Sequence, residues 1–290
     1  MLKCVINSES RGKFMYPKMR KIAYLALAAG LFSGCASLFE QTNLPDIAEV
    51  RPGMMKGYLD QKALPDSLTL LPPVPKNNSA TITRDKAVSK KNLALRGTKR
   101  WELAAKDAQL DFPGATDAFS CVLGVPISKE DTPQIYRLLR RVQTDARWST
   151  GKAKNTYGRS RPFLWNKAPI CTPDKRTFLL TNGSFPSGHS AIGWAWALTL
   201  AEIDPEHTTE ILARGRAYCE SRVICNAHWY SDIMWGRTMG ASTVARLHAD
   251  PEYQKALKAA KAELKSVRQK GLKSTNDCRF EAEALSVKLN

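Results

Sequence analysis

Residues 191–203 constrain the fold of this chain more than any other segment, because almost every residue in the segment is apolar. A helix that is apolar on all sides must be buried, so other elements have to surround it. Elsewhere apolar residues recur at helical spacing, and no run alternates convincingly as a strand would. The sequence therefore predicts an all-α fold in a single compact helical domain. Further helical segments are expected at 88–110, 133–148, 208–232, 233–248 and 251–271.

Composition divides the 290 residues into four parts. Residues 1–34 are interpreted as a signal segment, and residues 35–78 as a proline-punctuated lead-in. Residues 79–267 form the main helical domain, which carries the candidate catalytic residues described below. Residues 268–290 form a polar C-terminal tail that we expect to be loosely held.

The N-terminus has the pattern of an export signal whose true start is Met19. Basic residues at 20–21 precede an apolar core at 22–32, and small residues then stand before Cys35. This pattern is typical of a secretory signal, and the core is too short to span a bilayer. Cys35 resembles the lipidated cysteine of a bacterial lipoprotein, whereas cleavage after Ala36 would release a soluble protein. We expect a periplasmic protein, with a lipid anchor to the outer membrane at Cys35.

Export would bring the remaining cysteines into an oxidising compartment, where disulfides form. Five cysteines follow Cys35, so at least one thiol stays free unless it pairs between chains. Their spacing does not reveal the connectivity, and it does not match a zinc site. The five are Cys121, Cys171, Cys219, Cys225 and Cys278.

The formal net charge of +17 raises the question of an anionic partner. The lysines and arginines are scattered, whereas a nucleic-acid site would cluster them on one stripe, often beside aromatic residues. We therefore predict a solvated basic surface that attracts anionic substrates, with no specific nucleic acid as partner.

Three short blocks carry the residues of chemical interest. Their arginines suit phosphate, because a guanidinium fork matches tetrahedral oxygens. Ser187 is a typical N-cap, so the backbone N–H groups that follow it would form an anion site at a helix N-terminus. The blocks read Lys154-x6-Arg161-Pro162, Pro186-Ser187-Gly188-His189 and Ser221-Arg222-x5-His228-x3-Asp232.

The third block has the spacing of a histidine held by a carboxylate. His228 and Asp232 would share a helix face if that stretch is helical, and Asp232 could then hold one ring nitrogen. Arg222 lies six residues before His228, which is poor spacing for one face of a continuous helix. Either a helix break or the length of the arginine side chain must bring it to the same site.

Together the blocks resemble the signature of the phosphatidic acid phosphatase type 2 and vanadium haloperoxidase superfamily. From about residue 57 to 265 the chain resembles the class A bacterial non-specific acid phosphatases more closely. The resemblance implies a homo-oligomeric, helical enzyme that hydrolyses small phosphomonoesters with an acidic pH optimum. It implies that His228 attacks phosphorus to form a phosphohistidine, that Asp232 holds its ring, and that His189 protonates the leaving oxygen and then activates water. It also implies that phosphoryl oxygens are bound by Lys154, Arg161, Ser187, Gly188 and Arg222.

No cluster of carboxylates and histidines would supply metal ligands, so we predict an enzyme without a metal or cofactor. The main alternatives are a vanadium-dependent haloperoxidase, which uses nearly the same anion pocket, and a non-catalytic phosphate-binding envelope lipoprotein. A lipid phosphate phosphatase would need several membrane spans, which the sequence lacks. A protein tyrosine phosphatase would need Cys-x5-Arg, and Cys171 and Arg176 are one residue short of that spacing.

Overall fold

The computed structural model describes residues 47–112 and 114–287, and these residues form one compact unit. The predicted signal segment and Cys35 lie outside this part of the chain. The prediction of an all-α fold is confirmed, apart from a small antiparallel hairpin of β1 (Glu49–Arg51) and β2 (Met54–Met55). The helices are α1 Ser67–Leu70, α2 Ala80–Asn92, α3 Lys99–Lys106, α4 Asp117–Leu123, α5 Pro133–Ser149, α6 Gly151–Tyr157, α7 Pro162–Asn166, α8 Arg176–Thr181, α9 Gly188–Ile203, α10 Thr208–Ile224, α11 Tyr230–Leu247, α12 Pro251–Gln269 and α13 Cys278–Leu285.

Helix α9 lies at the centre of the fold and packs against α5, α10, α11 and α12. Its side chains Ile192, Trp196 and Leu200 are fully buried, which confirms the predicted central helix. Burying a large apolar side chain contributes about 1.5–3 kcal/mol. The one polar atom of Trp196 is satisfied as well, because Nε1 donates to the backbone oxygen of Leu139 on α5 at 2.8 Å.

Helices α9 and α11 approach so closely that only glycine fits between them. A Cβ on Gly236 would lie 2.5 Å from the backbone oxygen of Ser187, and one on Gly240 would lie 2.5 Å from that of Ala191. The backbones therefore touch directly at the start of α9. This contact holds the second sequence block against the helix that contains Asp232.

Two segments that were each predicted as one helix contain two. Residues 88–110 include the end of α2 and all of α3. A turn at Gly97, whose φ is +74°, separates these two helices. Residues 208–232 include α10 and the start of α11. The chain turns between them at Asn226, whose φ is +58°, a region that asparagine tolerates better than most residues. The Asn226 side chain also exchanges hydrogen bonds with Asn166, at 2.8 and 3.0 Å.

The lead-in packs onto α5. The hydroxyl of Thr144 donates to the backbone oxygen of Met55 at 2.7 Å, which fixes the hairpin on the helix. Just after the hairpin, the backbone N–H of Tyr58 donates to Asp145 at 2.8 Å. The second strand of the hairpin is thereby held against α5, and Glu49 of the first strand accepts a hydrogen bond from Arg140 of the same helix.

The C-terminal tail is held more firmly than its composition suggested. Cys278, at the start of α13, forms a disulfide with Cys121 of α4. On the same helix Glu281 is buried and lies 3.2 Å from Nε of Arg214. The expectation of a loosely held tail is therefore wrong for residues 278–285.

A second disulfide joins Cys171 to Cys225, and in the described part of the chain Cys219 remains a free, buried thiol. Burial raises the pKa of Cys219 to about 12, so the thiol is inert at neutral pH. The odd number of cysteines predicted such a thiol. Within residues 47–112 and 114–287, none of the helices combines the length and apolar character that crossing a bilayer requires.

Candidate active site

Residues from all three sequence blocks meet at one cavity of about 620 Å³. The first block contributes α6 and the residue before α7, the second contributes the start of α9, and the third contributes the loop between α10 and α11. Three predicted site residues, Ser187, Arg222 and Asp232, are buried without lining the cavity. The other five line it, and they are Lys154, Arg161, Gly188, His189 and His228.

The ring of His228 is held in one tautomer. Its Nε2 lies 3.0 Å from Nη1 of Arg161. Because a guanidinium only donates, Nε2 must accept and is therefore unprotonated, with its lone pair toward Arg161. The proton of the neutral ring is then on Nδ1, which lies 3.5 Å from Oδ2 of Asp232. Burial and the charges of Arg161 and Lys154 lower the pKa of His228 well below its ordinary value, so the ring is neutral near pH 7.

Asp232 reaches His228 from the first turn of α11. His228 precedes that helix, so the predicted shared helix face does not exist, although the two side chains do meet. Oδ2 of Asp232 also accepts a hydrogen bond from the backbone N–H of Trp229, at 2.8 Å. This bond caps the start of α11 and keeps the carboxylate beside the ring.

Arg159 is a candidate that the sequence analysis missed. Its Nη1 donates to Oδ1 of Asp232 at 2.6 Å, and its Nη2 donates to Oδ2 of Asp85 at 2.8 Å. Asp85 also accepts hydrogen bonds from the backbone and hydroxyl of Ser231. All three charged side chains are buried, so the network fixes the orientation of Asp232. The arginine two residues before Arg161 was a visible signal, but its partners lie far away in sequence.

His189 stands in the first turn of α9, and a backbone carbonyl orients its ring. Nε2 lies 3.0 Å from the oxygen of Ala108. A carbonyl only accepts, so Nε2 carries the proton of the neutral ring and Nδ1 holds the lone pair. Burial and the charge of Arg222 lower the pKa of His189 well below its ordinary value. The negative charge of a bound phosphoryl group would raise that pKa again.

Lys154 has one ammonium donor to spare. Its Nζ donates to the backbone oxygens of Gly183 and Pro186, both at 2.8 Å. An ammonium has three N–H groups, so one remains for an anion. Burial and the neighbouring charge of Arg161 lower the pKa of Lys154 to about 7. An anion in the cavity would stabilise the charged form.

The two arginines of the blocks differ in their contacts. Arg161 donates to the backbone oxygens of Leu179 and Ala227, both within 2.9 Å, so much of its guanidinium holds the cavity wall. Arg222 is buried, and its Nε and Nη1 find no hydrogen-bond partner in the described part of the chain. Its charge lowers the pKa of both site histidines and of Arg161, so it lies among them. A buried guanidinium with unpaired donors is costly unless an oxyanion binds it.

The helix break after Ile224 explains how Arg222 reaches this site. Arg222 lies near the C-terminus of α10. The chain then reverses, so that the backbone N–H of His228 donates to the backbone oxygen of Arg222 at 3.2 Å. Of the two explanations that the sequence left open, the structure shows the helix break.

The start of α9 offers backbone donors, as its sequence predicted. The Ser187 hydroxyl accepts from the N–H of Ser190 at 3.2 Å and is therefore the N-cap. Gly188 follows as the first helical residue. A Cβ added to Gly188 would meet only Oγ1 of Thr150, at 3.7 Å, which is an ordinary contact. The packing of the protein does not require glycine here, and the open space lets an anion approach the backbone closely.

Apolar and aromatic side chains line the cavity as well as cationic ones. One of the six, Phe178, is 53% exposed. Such a wall suits the organic portion of a substrate whose phosphoryl group binds among the cations. The six are Val50, Leu110, Trp148, Phe178, Leu179 and Ile192.

Comparisons with known proteins agree with this geometry. The family model described as the PAP2 superfamily matches residues 144–256. A non-specific acid phosphatase of Providencia stuartii is 42% identical over 81% of this chain and 97% of its own length. An acid phosphatase of Zymomonas mobilis is 36% identical over 70% of this chain and 77% of its own length. A non-specific acid phosphatase of Salmonella typhimurium is 40% identical over 67% of this chain and 78% of its own length.

The fold, the site and these similarities define a class: the chain belongs to the PAP2 superfamily. Within that class it is an enzyme, an acid phosphatase, which confirms the enzyme class that the resemblance implied. The tyrosine phosphatase alternative also lacks its nucleophile, because the thiol of Cys171 is consumed in the disulfide with Cys225.

Proposed function

We propose that this acid phosphatase hydrolyses small phosphomonoesters through a phosphohistidine formed on His228. The observation that carries the proposal is the state of that ring. Nε2 is unprotonated and its lone pair accepts from Arg161 at the cavity, while Nδ1 faces Asp232. A nucleophilic imidazole needs such a lone pair, directed by a partner on the other nitrogen.

In the first step Nε2 of His228 forms a bond to phosphorus, and the bond from phosphorus to the leaving oxygen breaks. The leaving oxygen takes a proton from the protonated ring of His189. Charge on the transferring group is stabilised by fixed donors, as phosphoryl transfer requires. The proposed donors are Lys154, Arg161, Ser187, Gly188 and Arg222.

In the second step His189, now neutral, takes a proton from water. The water oxygen bonds to phosphorus, the phosphorus–nitrogen bond breaks, and His228 returns to its neutral form with phosphate as product. The same nitrogen thus serves as acid and then as base. Nδ1 of His189 serves as both the acid and the base, because Nε2 is hydrogen-bonded to the backbone oxygen of Ala108.

The two histidines set the expected pH profile. His228 must be neutral, so activity falls once the pH drops below its pKa. His189 must be protonated in the first step, so activity also falls as the pH rises past the pKa of that ring. Both pKa values lie below the ordinary histidine value in the free protein, which favours a bell-shaped profile with an acidic optimum.

The test uses p-nitrophenyl phosphate, and phenyl phosphate as a substrate with a poorer leaving group. We expect His228→Ala to remove nearly all turnover with both. His189→Ala should cost about 10²–10⁴-fold, and more with phenyl phosphate, because that leaving oxygen needs the proton. His248→Ala is the matched control, since this exposed ring pairs with Glu202 outside the cavity.

Rapid quenching followed by mass spectrometry tests the intermediate itself. A phosphoryl group on the peptide that contains His228 is the expected result. Normal turnover by His228→Ala would overturn the proposal, as would a phosphoryl group trapped on another residue.

We further propose that turnover needs no metal ion, because three cationic side chains supply the charge that a metal would supply. Among the described residues, no group of three or more His, Cys, Asp or Glu side chains is arranged to hold a metal. Undiminished activity in EDTA is the expected result. Activity that EDTA abolishes and a divalent cation restores would contradict it.

We also propose that the protein is exported to the periplasm and carries a lipid anchor at Cys35. The two disulfides support export, because they persist in oxidising compartments. Mass spectrometry of the mature N-terminus would distinguish a lipidated Cys35 from cleavage after Ala36. The homo-oligomer and the lack of a nucleic-acid partner remain predictions from the sequence, and sedimentation analysis tests the first of them.

A further inference from the structure

We propose that the mouth of the cavity contains a second anion subsite, formed by Arg51 and Arg147, which binds a second phosphate on the leaving group of the substrate. Both residues line the same 620 Å³ cavity as His189 and His228. The ligands of this subsite are nucleoside diphosphates, pyrophosphate and similar compounds, in which another phosphate follows the transferred group. This inference rests on the proposed function of the same cavity.

Arg147 differs from the other arginines on its helix. Arg140 of α5 donates to Glu49 and to the backbone oxygen of Gly53. Its neighbour Arg141 donates to Glu252 and to two backbone oxygens. The guanidinium of Arg147 makes no hydrogen bond or ion pair with any described residue, although the side chain is only partly exposed. Its five donors are therefore available to a ligand.

Arg51 adds a second cation to the same place. It stands at the end of β1, which the hairpin holds against α5. Its guanidinium also makes no hydrogen bond or ion pair with a described residue. Burial, and then the charge of Arg51, lowers the pKa of Arg147, so the two guanidiniums are close enough to repel each other. An anion between them would relieve that repulsion.

Arg147 is coupled to the predicted chemistry as well. Its charge lowers the pKa of Lys154 and of His189, so it lies near the residues that bind the phosphoryl group and protonate the leaving oxygen. The carboxylate of Asp111 acts to raise the pKa of Arg147, so it also lies near this guanidinium. Arg147 and Arg51 therefore extend the cationic lining of the cavity beyond the residues of the phosphoryl site.

The reaction with a nucleoside diphosphate balances in the same way as with a monoester. Nε2 of His228 bonds to the terminal phosphorus, and the bond to the bridging oxygen breaks. The bridging oxygen leaves with the inner phosphate and takes the proton of His189. Water then releases orthophosphate from His228. In this scheme Arg147 and Arg51 hold the inner phosphate before and during departure.

The test compares ADP and pyrophosphate with p-nitrophenyl phosphate, whose leaving group carries no phosphate. Arg147→Gln should lower the ratio of kcat/KM for ADP to that for p-nitrophenyl phosphate about tenfold or more, mainly through KM, as expected for a lost charge-assisted hydrogen bond. Arg51→Gln should lower the ratio less, because Arg51 is exposed. Arg147→Lys should restore part of it, because the charge is kept and the planar fork is lost. Arg246→Gln, an exposed arginine of α11 outside the cavity, is the control.

An unchanged ratio would overturn the subsite, and so would an equal loss on both substrates, which would indicate an effect on the phosphoryl site alone. Calorimetry on the His228→Ala protein separates this proposal from the proposed function. Arg147→Gln in that background should weaken pyrophosphate binding more than orthophosphate binding, whether or not the wild-type protein turns over any ester. Equal weakening of both ligands would overturn the subsite even if the phosphatase mechanism is correct.

Discussion

Nη1 of Arg159 lies 2.6 Å from Oδ1 of Asp232, so the carboxylate that faces His228 is itself held by a buried cation. One carboxylate oxygen of Asp232, Oδ2, therefore faces the ring of His228, and the other, Oδ1, accepts from Arg159. The arrangement resembles the logic of an orienting group in a catalytic triad, with one further member behind the carboxylate.

Arg159→Gln should lower both stability and kcat. Removing one partner from a buried ion pair costs about 3–5 kcal/mol, because charges remain buried without compensation. Urea unfolding would measure that loss, and kcat should fall because Asp232 loses its anchor. Arg159→Lys should recover part of kcat, and Arg140→Gln, which breaks a pair with the exposed Glu49, serves as the control. A folded Arg159→Gln protein with normal kcat and an unchanged pH profile would limit Arg159 to a structural role.

Gly188→Ala should separate stability from activity. The new methyl meets only an ordinary contact with Thr150, and alanine is the better helix former, so stability should stay equal or rise by about 0.4–1 kcal/mol. The methyl would stand where the phosphoryl group approaches the backbone, so KM for p-nitrophenyl phosphate should increase. Thermal unfolding and steady-state kinetics on the same sample measure both. Unchanged kinetics would show that no ligand approaches Gly188.

Anion binding should weaken as the pH rises past 7, because Lys154 loses its charge there. The lowered pKa of Lys154, about 7, means that the charged form dominates below this pH and disappears above it. Sulfate, whose charge is constant in this range, should therefore inhibit with a constant that rises up to about tenfold per pH unit between pH 7 and 8.5. Lys154→Met should bind sulfate more weakly and show a flatter dependence. An equally steep dependence in Lys154→Met would assign the titration to another group.

The two disulfides should differ in their effect on activity. Each closes a long loop, of 54 or 157 residues, so removing either by a Cys→Ser pair should cost about 4–5 kcal/mol in the chain-entropy model. Loss of Cys171–Cys225 should also lower kcat, since Cys225 begins the turn that presents His228. Loss of Cys121–Cys278 should leave kcat close to normal at a temperature where the protein is folded. The opposite pattern would show that α13, and not the turn, governs the site.

Local features of this protein were readable from its sequence. The apolar run that became α9 and the serine cap that precedes it depend on helix periodicity and on bonds between residues three apart, so they are visible without the fold. The resemblance likewise identified the residues that now meet around the cavity. The expectations of a loosely held tail and of a continuous helix over 208–232 were wrong. Composition does not show a disulfide to a distant cysteine or a turn at Asn226.

Only the tertiary structure decided which distant groups meet. Asp85 and Arg159 are 74 residues apart, and their pairing depends on α2 packing beside the third block. The tautomers of both histidines follow from partners in other elements, Arg161 for one and Ala108 for the other. The sequence determined which chemical groups are available; burial and packing decided their protonation and direction, because desolvation and hydrogen-bond geometry exist only once the helices are assembled.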